Sequence, residues 1–284
     1  MKDTLSPRDL ARAIGVSESS MKRWADDGLV QTNRTPGGHR RIAWAEALRF
    51  IRESGSSLVR PELLGLESLG PKAGAEGEIL HDLLASGDGD GAFSFLTSRF
   101  LDGATLVSLF DGPLRAAMQR LGELWRHESR GIFVEHRATD ICLELIRKLR
   151  AGLPLRADSP VAIGGAPAGN HHGIGSLLAA TVLEECGFRA SNLGPDMPLE
   201  VLAGGARETG ARLVWVSVAL VENEEEFVSE LRGLARSCGD ASCGLAIGGS
   251  AVGLERLAER AGVAFGRDLA ALASYGRGFL AATR

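Results

Sequence analysis

The stretch VAIGGAPAGNHHGIGSLLAATVLEECGF, residues 161–188, decides the fold of the carboxyl-terminal half of the chain. Three apolar residues lead into two glycines, a polar loop follows, and apolar residues then recur at helical spacing. This order predicts a buried strand, a loop at the carboxyl edge of a parallel sheet and a helix that begins at once. The loop carries His172 to that edge, and the small Gly173 and Gly175 leave room for a large, flat molecule against the backbone.

Four more strand-like segments follow the first. They are FRASNLG, RLVWVSVAL, CGLAIGG and VAFG, and helical stretches near residues 199–209, 224–237, 252–260 and 268–280 separate them. Five strand–helix units in alternation predict a parallel, doubly wound α/β sheet over residues 158–284.

His172, two further residues and Gly175 match the end of the Asp-x-His-x-x-Gly signature of cobalamin-binding domains, and the chain resembles that family here. The resemblance implies a flavodoxin-like sheet in which His172 replaces the benzimidazole base of cobalamin as the lower axial ligand of cobalt. The aspartate of the signature is Asn170 in this chain, and its amide oxygen can accept the imidazole N–H without supplying a negative charge. By itself, His-x-x-Gly is more typical of a surface histidine pair at a helix start.

The same resemblance covers the ends of the third and fourth strands. In such a sheet the first and third strands flank the crevice where ligands bind. Small residues at these strand ends are expected to open a slot for the displaced nucleotide tail of the cofactor. The cofactor-binding residues predicted for this half are Asn170, His171, Gly173, Gly175, Ser217, Leu220, Gly248 and Gly249, with His172 on the metal.

Composition and charge limit the function classes. The chain has 284 residues, 44% of them hydrophobic, and a net charge of −4. The first 60 residues hold eleven Lys and Arg against seven Asp and Glu, whereas the remainder is acidic. This asymmetry predicts that only the basic amino-terminal segment, the head, binds a polyanion. No apolar run is long enough for a bilayer, no signal-peptide core is present, and four cysteines without zinc-type spacing favour reduced, cytoplasmic thiols.

Residues 1–55 predict a DNA-binding head. Ser6 and Ser17 are placed to cap two short helices, and the second helix carries a small polar and basic face. The segment from Thr35 to Arg41 resembles the Thr-Pro-Gly-Gly-His-Arg-Arg wing of MerR-type and excisionase-like winged helix-turn-helix domains. The resemblance implies that the helix enters the major groove while the wing holds phosphates. The residues predicted to contact DNA are Ser19, Ser20, Lys22, Arg23, Arg34, His39, Arg40 and Arg41.

Residues 56–77 are rich in Gly, Ser and Pro and predict a linker with a short helical turn. Apolar residues at helical spacing then predict a four-helix bundle over residues 78–153, with helices near 79–86, 89–100, 105–125 and 132–149.

A spacing within that bundle carries a second resemblance. Trp125 is followed by nine residues and then by Glu135 and His136. This resembles the cap of CarH-type cobalamin-dependent photoreceptor repressors, whose tryptophan covers the upper face of cobalt beside the adenosyl group. Family members carry a histidine directly after the tryptophan, whereas this chain has Arg126 there and His127 next. One step along a helix rotates a side chain by about 100°, so the upper ligand after illumination stays open between His127 and His136.

The resemblance therefore covers nearly the whole chain and implies a multidomain protein: a winged helix-turn-helix, a four-helix-bundle cap and a cobalamin-binding sheet. The implied function is transcriptional control, with no enzymatic activity, by a homo-oligomer, a dimer or tetramer, bound to double-stranded operator DNA. Adenosylcobalamin would favour the oligomer in the dark, and light would dissolve it. Two alternatives stay open: a light-independent regulator that senses cobalamin, another tetrapyrrole or a protein antagonist, and a methyl-carrying corrinoid module of an enzyme.

Overall fold

The computed structural model describes residues 3–67, 75–124 and 129–282. The chain divides into two compact units, Met1–Leu153 and Pro154–Arg284. The finer domain boundaries expected from the sequence remain predictions.

The amino-terminal unit begins with two short helices and a small antiparallel sheet. Its elements are β1 (Thr4–Leu5), α1 (Pro7–Ala13), α2 (Glu18–Asp26), β2 (Asn33–Arg34), β3 (Arg40–Ala43) and α3 (Trp44–Ser54). The strands lie in the order β1-β3-β2, and both pairs are antiparallel. A hairpin thus follows the two helices, with its tip where the sequence predicts the wing.

Side-chain caps explain where these two helices start. The Ser6 hydroxyl accepts a hydrogen bond from the Asp9 backbone N–H at 3.1 Å, and Ser17 does the same for Ser20 at 3.0 Å. Each cap satisfies a backbone donor that has no partner within its helix. Met21 is fully buried, and the Trp24 ring lies 5.5 Å from that of Phe50, so the apolar side of α2 faces the core as predicted.

The segment after α3 is packed onto the head rather than free. The backbone N–H groups of Val59 and Arg60 both donate to the Ala13 carbonyl. A 3₁₀ helix, Pro61–Leu64, follows, and the Trp44 indole donates to the Leu64 carbonyl at 3.2 Å. The expected helical turn is present, but at least the first part of the expected linker is a packed connection, because buried leucines anchor it. Residues 68–74 lie outside the described part of the chain.

A helical bundle completes this unit. It comprises α4 (Glu76–Ser86), α5 (Gly89–Leu101), α6 (Leu106–Leu109), α7 (Arg115–Leu124) and α8 (Ser129–Ala151). The sequence predicted one helix over 105–125. A π-helical turn, Phe110–Leu114, interrupts it instead, because Pro113 lacks the N–H that a continuous α-helix needs. The head packs on the bundle, where the Trp44 and Phe93 rings are 5.1 Å apart.

The carboxyl-terminal unit is the predicted doubly wound sheet. Its strands are β4 (Val161–Gly165), β5 (Arg189–Asn192), β6 (Leu213–Val218), β7 (Gly244–Gly249) and β8 (Ala264–Gly266). All neighbours are parallel, and the order β5-β4-β6-β7-β8 confirms the flavodoxin-like topology. Its helices are α9 (Ile174–Glu185), α10 (Leu199–Thr209), α11 (Glu224–Asp240), α12 (Leu254–Ala261) and α13 (Leu269–Ala282).

The two faces of the sheet bury different residues, as the alternation along β6 illustrates. Val214, Val216 and Val218 face α10, α11 and α12, and we call this side the valine face. Leu213 and Trp215 face α9 and α13, and we call this side the tryptophan face. Five alanines also line the tryptophan face: Ala162, Ala179, Ala180, Ala190 and Ala246. The indole is therefore packed in a cluster in which half of the buried residues are alanine.

Candidate functional site

Asn170 organises the carboxyl edge of the sheet. Its side chain is 3% exposed, and its Oδ1 accepts hydrogen bonds from the backbone N–H groups of Ala219 at 2.7 Å and Leu220 at 2.9 Å. Its Nδ2 donates to the Leu220 carbonyl at 2.9 Å. These three bonds fasten the loop after β4 to the loop after β6, the two loops that border the ligand crevice of such a sheet.

The expectation that Asn170 accepts the imidazole N–H of His172 does not hold in this structure. An amide oxygen has two lone pairs, and both already accept backbone N–H groups. The short side chain points towards the β6 loop, where it satisfies donors that would otherwise be buried without partners. Asn170 thus builds the edge, and the ring orientation of His172 does not depend on it.

The two histidines stand free at this edge. His171 and His172 are both exposed, immediately before Gly173 caps α9. Exposed apolar side chains follow the neighbouring strands: Leu193 after β5, Leu220 after β6 and Val252 after β7. An accessible imidazole with an apolar rim suits the coordination of a metal held in a large, flat ligand.

The glycines expected to leave room at this edge are already in contact with protein atoms. A Cβ at Gly175 would lie 2.6 Å from Ser217 Oγ, and one at Gly173 would lie 3.4 Å from the Pro195 ring. A Cβ at Gly248 would lie 2.8 Å from the Gly266 carbonyl oxygen, and one at Gly249 would lie 2.0 Å from the Val218 carbonyl oxygen. These glycines allow strands and helix to approach one another closely, and the slot expected at Gly248 and Gly249 stays a prediction.

Trp215 fills the space behind the edge, and sequence reasoning missed it. The residue is 2% exposed, and its Nε1 donates to Ser176 Oγ at 3.0 Å. Ser176 in turn donates to Asn192 Oδ1 at 2.7 Å. Gly164 lies against the indole, since a Cβ there would come within 2.2 Å of Trp215 Cδ2. A tryptophan two residues before Ser217, in an otherwise valine-rich strand, was the signal in the sequence.

These contacts decide how well the site fits cobalamin. The exposed His172 imidazole fits an axial ligand of cobalt. The interior under α9 does not fit the displaced base, because Trp215 occupies it. Among the described residues, no group of three or more His, Cys, Asp or Glu is arranged to hold a metal ion by protein ligands alone.

A second polar pair lies on α8 of the bundle. His136 Nδ1 is 3.4 Å from Glu135 Oε2, and Glu135 Oε1 accepts a hydrogen bond from the Thr139 hydroxyl at 3.0 Å. Ile132 and Phe133, one turn earlier, are 48% and 62% exposed, which leaves apolar surface beside the pair. The predicted residues Trp125, Arg126 and His127 lie outside the described part of the chain.

Some of the residues predicted to contact DNA are bonded to other protein side chains, and the others are exposed. Ser19 and Ser20 join Ser17 in a cluster of hydroxyl hydrogen bonds at the start of α2. Lys22 pairs with Glu18 at 3.0 Å, and Arg40 pairs with Asp26 at 2.5 Å, which links the hairpin to α2. Four further side chains are exposed on α2 and the hairpin: Arg23, Arg34, His39 and Arg41.

Comparisons with known proteins agree with this architecture. Residues 78–150 match the family model described as B12 binding domain. The monomethylamine corrinoid protein of Methanosarcina barkeri has a similar fold, with a TM-score of 0.57 at 20% identity over 72% of this chain and 99% of that chain. The chain thus has the same fold as this corrinoid protein, and its bundle matches the B12 binding domain.

Two relatives make the resemblance more specific. The chain is 27% identical to the HTH-type transcriptional repressor CarA of Myxococcus xanthus, over 83% of each protein. It is 30% identical to dimethylamine corrinoid protein 3 of Methanosarcina acetivorans, over 39% of this chain and 54% of that protein. The match to CarA, together with the B12 binding domain, confirms the resemblance to CarH-type repressors. None of the helices in the described ranges is long and apolar enough to span a bilayer.

Proposed function

We propose that this protein is a transcriptional repressor that binds operator DNA through residues 1–55 and is controlled by cobalamin bound at His172. The single observation that carries the proposal is an exposed imidazole at the carboxyl edge of the sheet, in the first strand-to-helix loop. The likeness to CarA over most of the chain and the B12 binding domain at residues 78–150 support it.

The cofactor proposed is adenosylcobalamin, and the signal proposed is light. Bound adenosylcobalamin supplies a cobalt–carbon bond that visible light breaks. The residues of this chain contribute a nitrogen ligand at His172 and, on the bundle, the Glu135–His136 pair beside exposed apolar side chains. A switch of this kind acts on DNA because linked heads in an oligomer gain effective concentration, about 10²-fold or more over a single head.

The test of this proposal uses the purified full chain with adenosylcobalamin. Visible spectra, oligomeric state and affinity for a duplex selected from random DNA are measured in the dark and after green light. His172→Ala should release the cofactor, whereas His39→Ala, an exposed histidine of the DNA-binding head, should retain it. Retention by the His172 variant would contradict the ligand assignment, and a light-insensitive oligomer and affinity would contradict photosensing while leaving a light-independent sensor.

The DNA-binding part of the proposal has its own test. Arg34→Ala and Arg41→Ala should each weaken binding to all duplexes and reduce the slope of log affinity against log salt by about 1, as expected for phosphate contacts. Arg207→Ala, on α10 of the other unit, is the control and should leave the slope unchanged. Equal slopes in all three variants would contradict the assignment of the hairpin as the DNA-binding wing.

A second candidate function is methyl transfer through a bound corrinoid. The similarity to the dimethylamine corrinoid protein and the fold shared with the monomethylamine corrinoid protein favour it. The basic head, with its capped helices and hairpin, has no purpose in such a carrier. Methylation of the protein-bound cobalt(I) corrinoid by a methylamine-specific methyltransferase would support this candidate, and the absence of sequence-preferring DNA binding would complete the case.

A further inference from the structure

Trp215 is placed where it would control which corrinoids the sheet accepts, and this inference rests on the function proposed above. In cobalamin, the base that a protein histidine replaces stays attached to the ring through its nucleotide. The base and the histidine therefore lie on the same side of the ring, and a displaced base must go either into the protein beside His172 or into solvent.

The interior beside His172 is the space between α9 and the ends of β4 and β6. The first turn of α9 lies directly on β6, because a Cβ at Gly175 would be 2.6 Å from Ser217 Oγ. Immediately below, Trp215 is 2% exposed and in contact with Gly164. Indole and benzimidazole are both fused five- and six-membered aromatic rings, so the side chain occupies the volume that such a base would need.

The hydrogen bonds around the indole hold it there. Its Nε1 donates to the fully buried Ser176 hydroxyl, which donates onward to Asn192 Oδ1, and Asn192 Oδ1 also accepts the Gly194 backbone N–H at 3.1 Å. To admit a second aromatic ring system, the indole would have to leave, and its Nε1–H would lose its buried acceptor, the Ser176 hydroxyl. Unsatisfied buried donors and acceptors are costly, so the closed arrangement is favoured.

We propose that this protein binds corrinoids by the ring and the metal alone, with Trp215 excluding the nucleotide tail from the sheet. The chemical class of ligand is thus wider than intact cobalamin and includes cobinamides, which lack the nucleotide. A cobinamide has no base of its own to compete with His172 for cobalt. The protein should therefore bind a cobinamide at least as tightly as the corresponding cobalamin.

The experiment compares adenosylcobinamide with adenosylcobalamin in the dark, by spectroscopic titration of the full chain. Wild-type protein should bind adenosylcobinamide with equal or higher affinity. Trp215→Gly opens the space under α9 and should shift the affinity ratio towards adenosylcobalamin by about tenfold or more, as expected when a bicyclic aromatic group becomes buried. Trp215→Phe keeps the space filled without the N–H donor and should leave the ratio close to that of the wild type.

The outcomes separate this inference from the function on which it rests. A wild-type preference for adenosylcobalamin of about threefold or more would show that the tail is bound by the protein and would overturn the inference, while cobalamin binding would stand. Failure of both corrinoids to bind would overturn the proposed function and the inference with it. If Trp215→Gly does not fold, the wild-type ratio still decides, because it depends on no variant.

Discussion

The two faces of the five-stranded sheet differ in the side chains that they bury and in their buried hydrogen bonds. The valine face buries Val214, Val216 and Val218 under three helices, and this is ordinary packing of branched side chains on a parallel sheet. The tryptophan face packs Trp215 against Gly164, among alanines and larger residues such as Phe188, and adds a buried chain of hydrogen bonds through Ser176. Buried hydrogen bonds of this kind favour a single arrangement of the side chains that they join.

The largest expected loss of stability comes from the tryptophan face. Trp215→Ala removes a buried bicyclic side chain and its hydrogen bond to the Ser176 hydroxyl, and we expect a loss of about 3–5 kcal/mol in the free energy of unfolding. Val216→Ala, on the opposite face of the same strand, should cost about 2 kcal/mol. Chemical denaturation of the full chain, followed by circular dichroism, measures both. Equal losses would contradict the special packing assigned to the tryptophan face.

Asn170 offers the next largest effect at the edge between the faces. Asn170→Ala removes the three hydrogen bonds to the loop after β6 and leaves the backbone N–H groups of Ala219 and Leu220 without their partner, so a loss of about 2–3 kcal/mol is expected. Hydrogen exchange at those two amides should accelerate with it. Unchanged exchange would mean that the two loops are held together by other contacts.

His172 should contribute little to the stability of the cofactor-free protein. Because its side chain is exposed, His172→Ala should change the free energy of unfolding of the cofactor-free protein by no more than about 0.5 kcal/mol. The added stabilisation by adenosylcobalamin, measured as a rise in Tm of the wild type, should disappear in this variant. A large loss of stability without cofactor would indicate a structural role for the imidazole.

The smallest expected effect on stability comes from a helix that covers the valine face. On α11, partial burial and the neighbouring Glu226 and Glu200 raise the pKa of Glu230. A raised pKa in the folded state means that the charged form destabilises the fold, and this penalty appears as the pH rises through that pKa. Glu230→Gln should therefore raise Tm slightly at pH 7 and have no effect below the ordinary titration range of a glutamate. An identical shift at both pH values would exclude the charge as the cause.

Sequence reasoning predicted much of the fold because periodicity and caps are local. The strand order, the helix bounds at Leu199–Thr209 and the Ser6 and Ser17 caps are all as expected. The π-helical turn at Pro113 was missed because apolar residues recur at helical spacing on both sides of the proline. Reasoning from the sequence also treated residues 56–77 as a linker, although burial of Leu64 and Leu66 is a tertiary effect that composition does not reveal.

The site was harder to predict than the fold. The position of His172 at the sheet edge follows from a strand followed by a loop. The partners of Asn170, however, lie about 50 residues away along the chain, and a family signature could not reveal that its hydrogen bonds go to the β6 loop. Trp215 was passed over because a large apolar residue in a central strand is normally part of the core, and its contacts with Gly164 and Ser176 are tertiary.

The most direct test of the account is an electron paramagnetic resonance spectrum of bound cobalt(II) cobalamin, with the protein labelled by ¹⁵N-histidine. A single ¹⁵N ligand splits each cobalt line into two, whereas the ¹⁴N base of cobalamin splits it into three. We predict that each cobalt line is split into two by the His172 nitrogen, and that this splitting is lost in His172→Ala. Three lines in the wild type would mean that cobalt keeps its own base, and they would contradict the role given to His172.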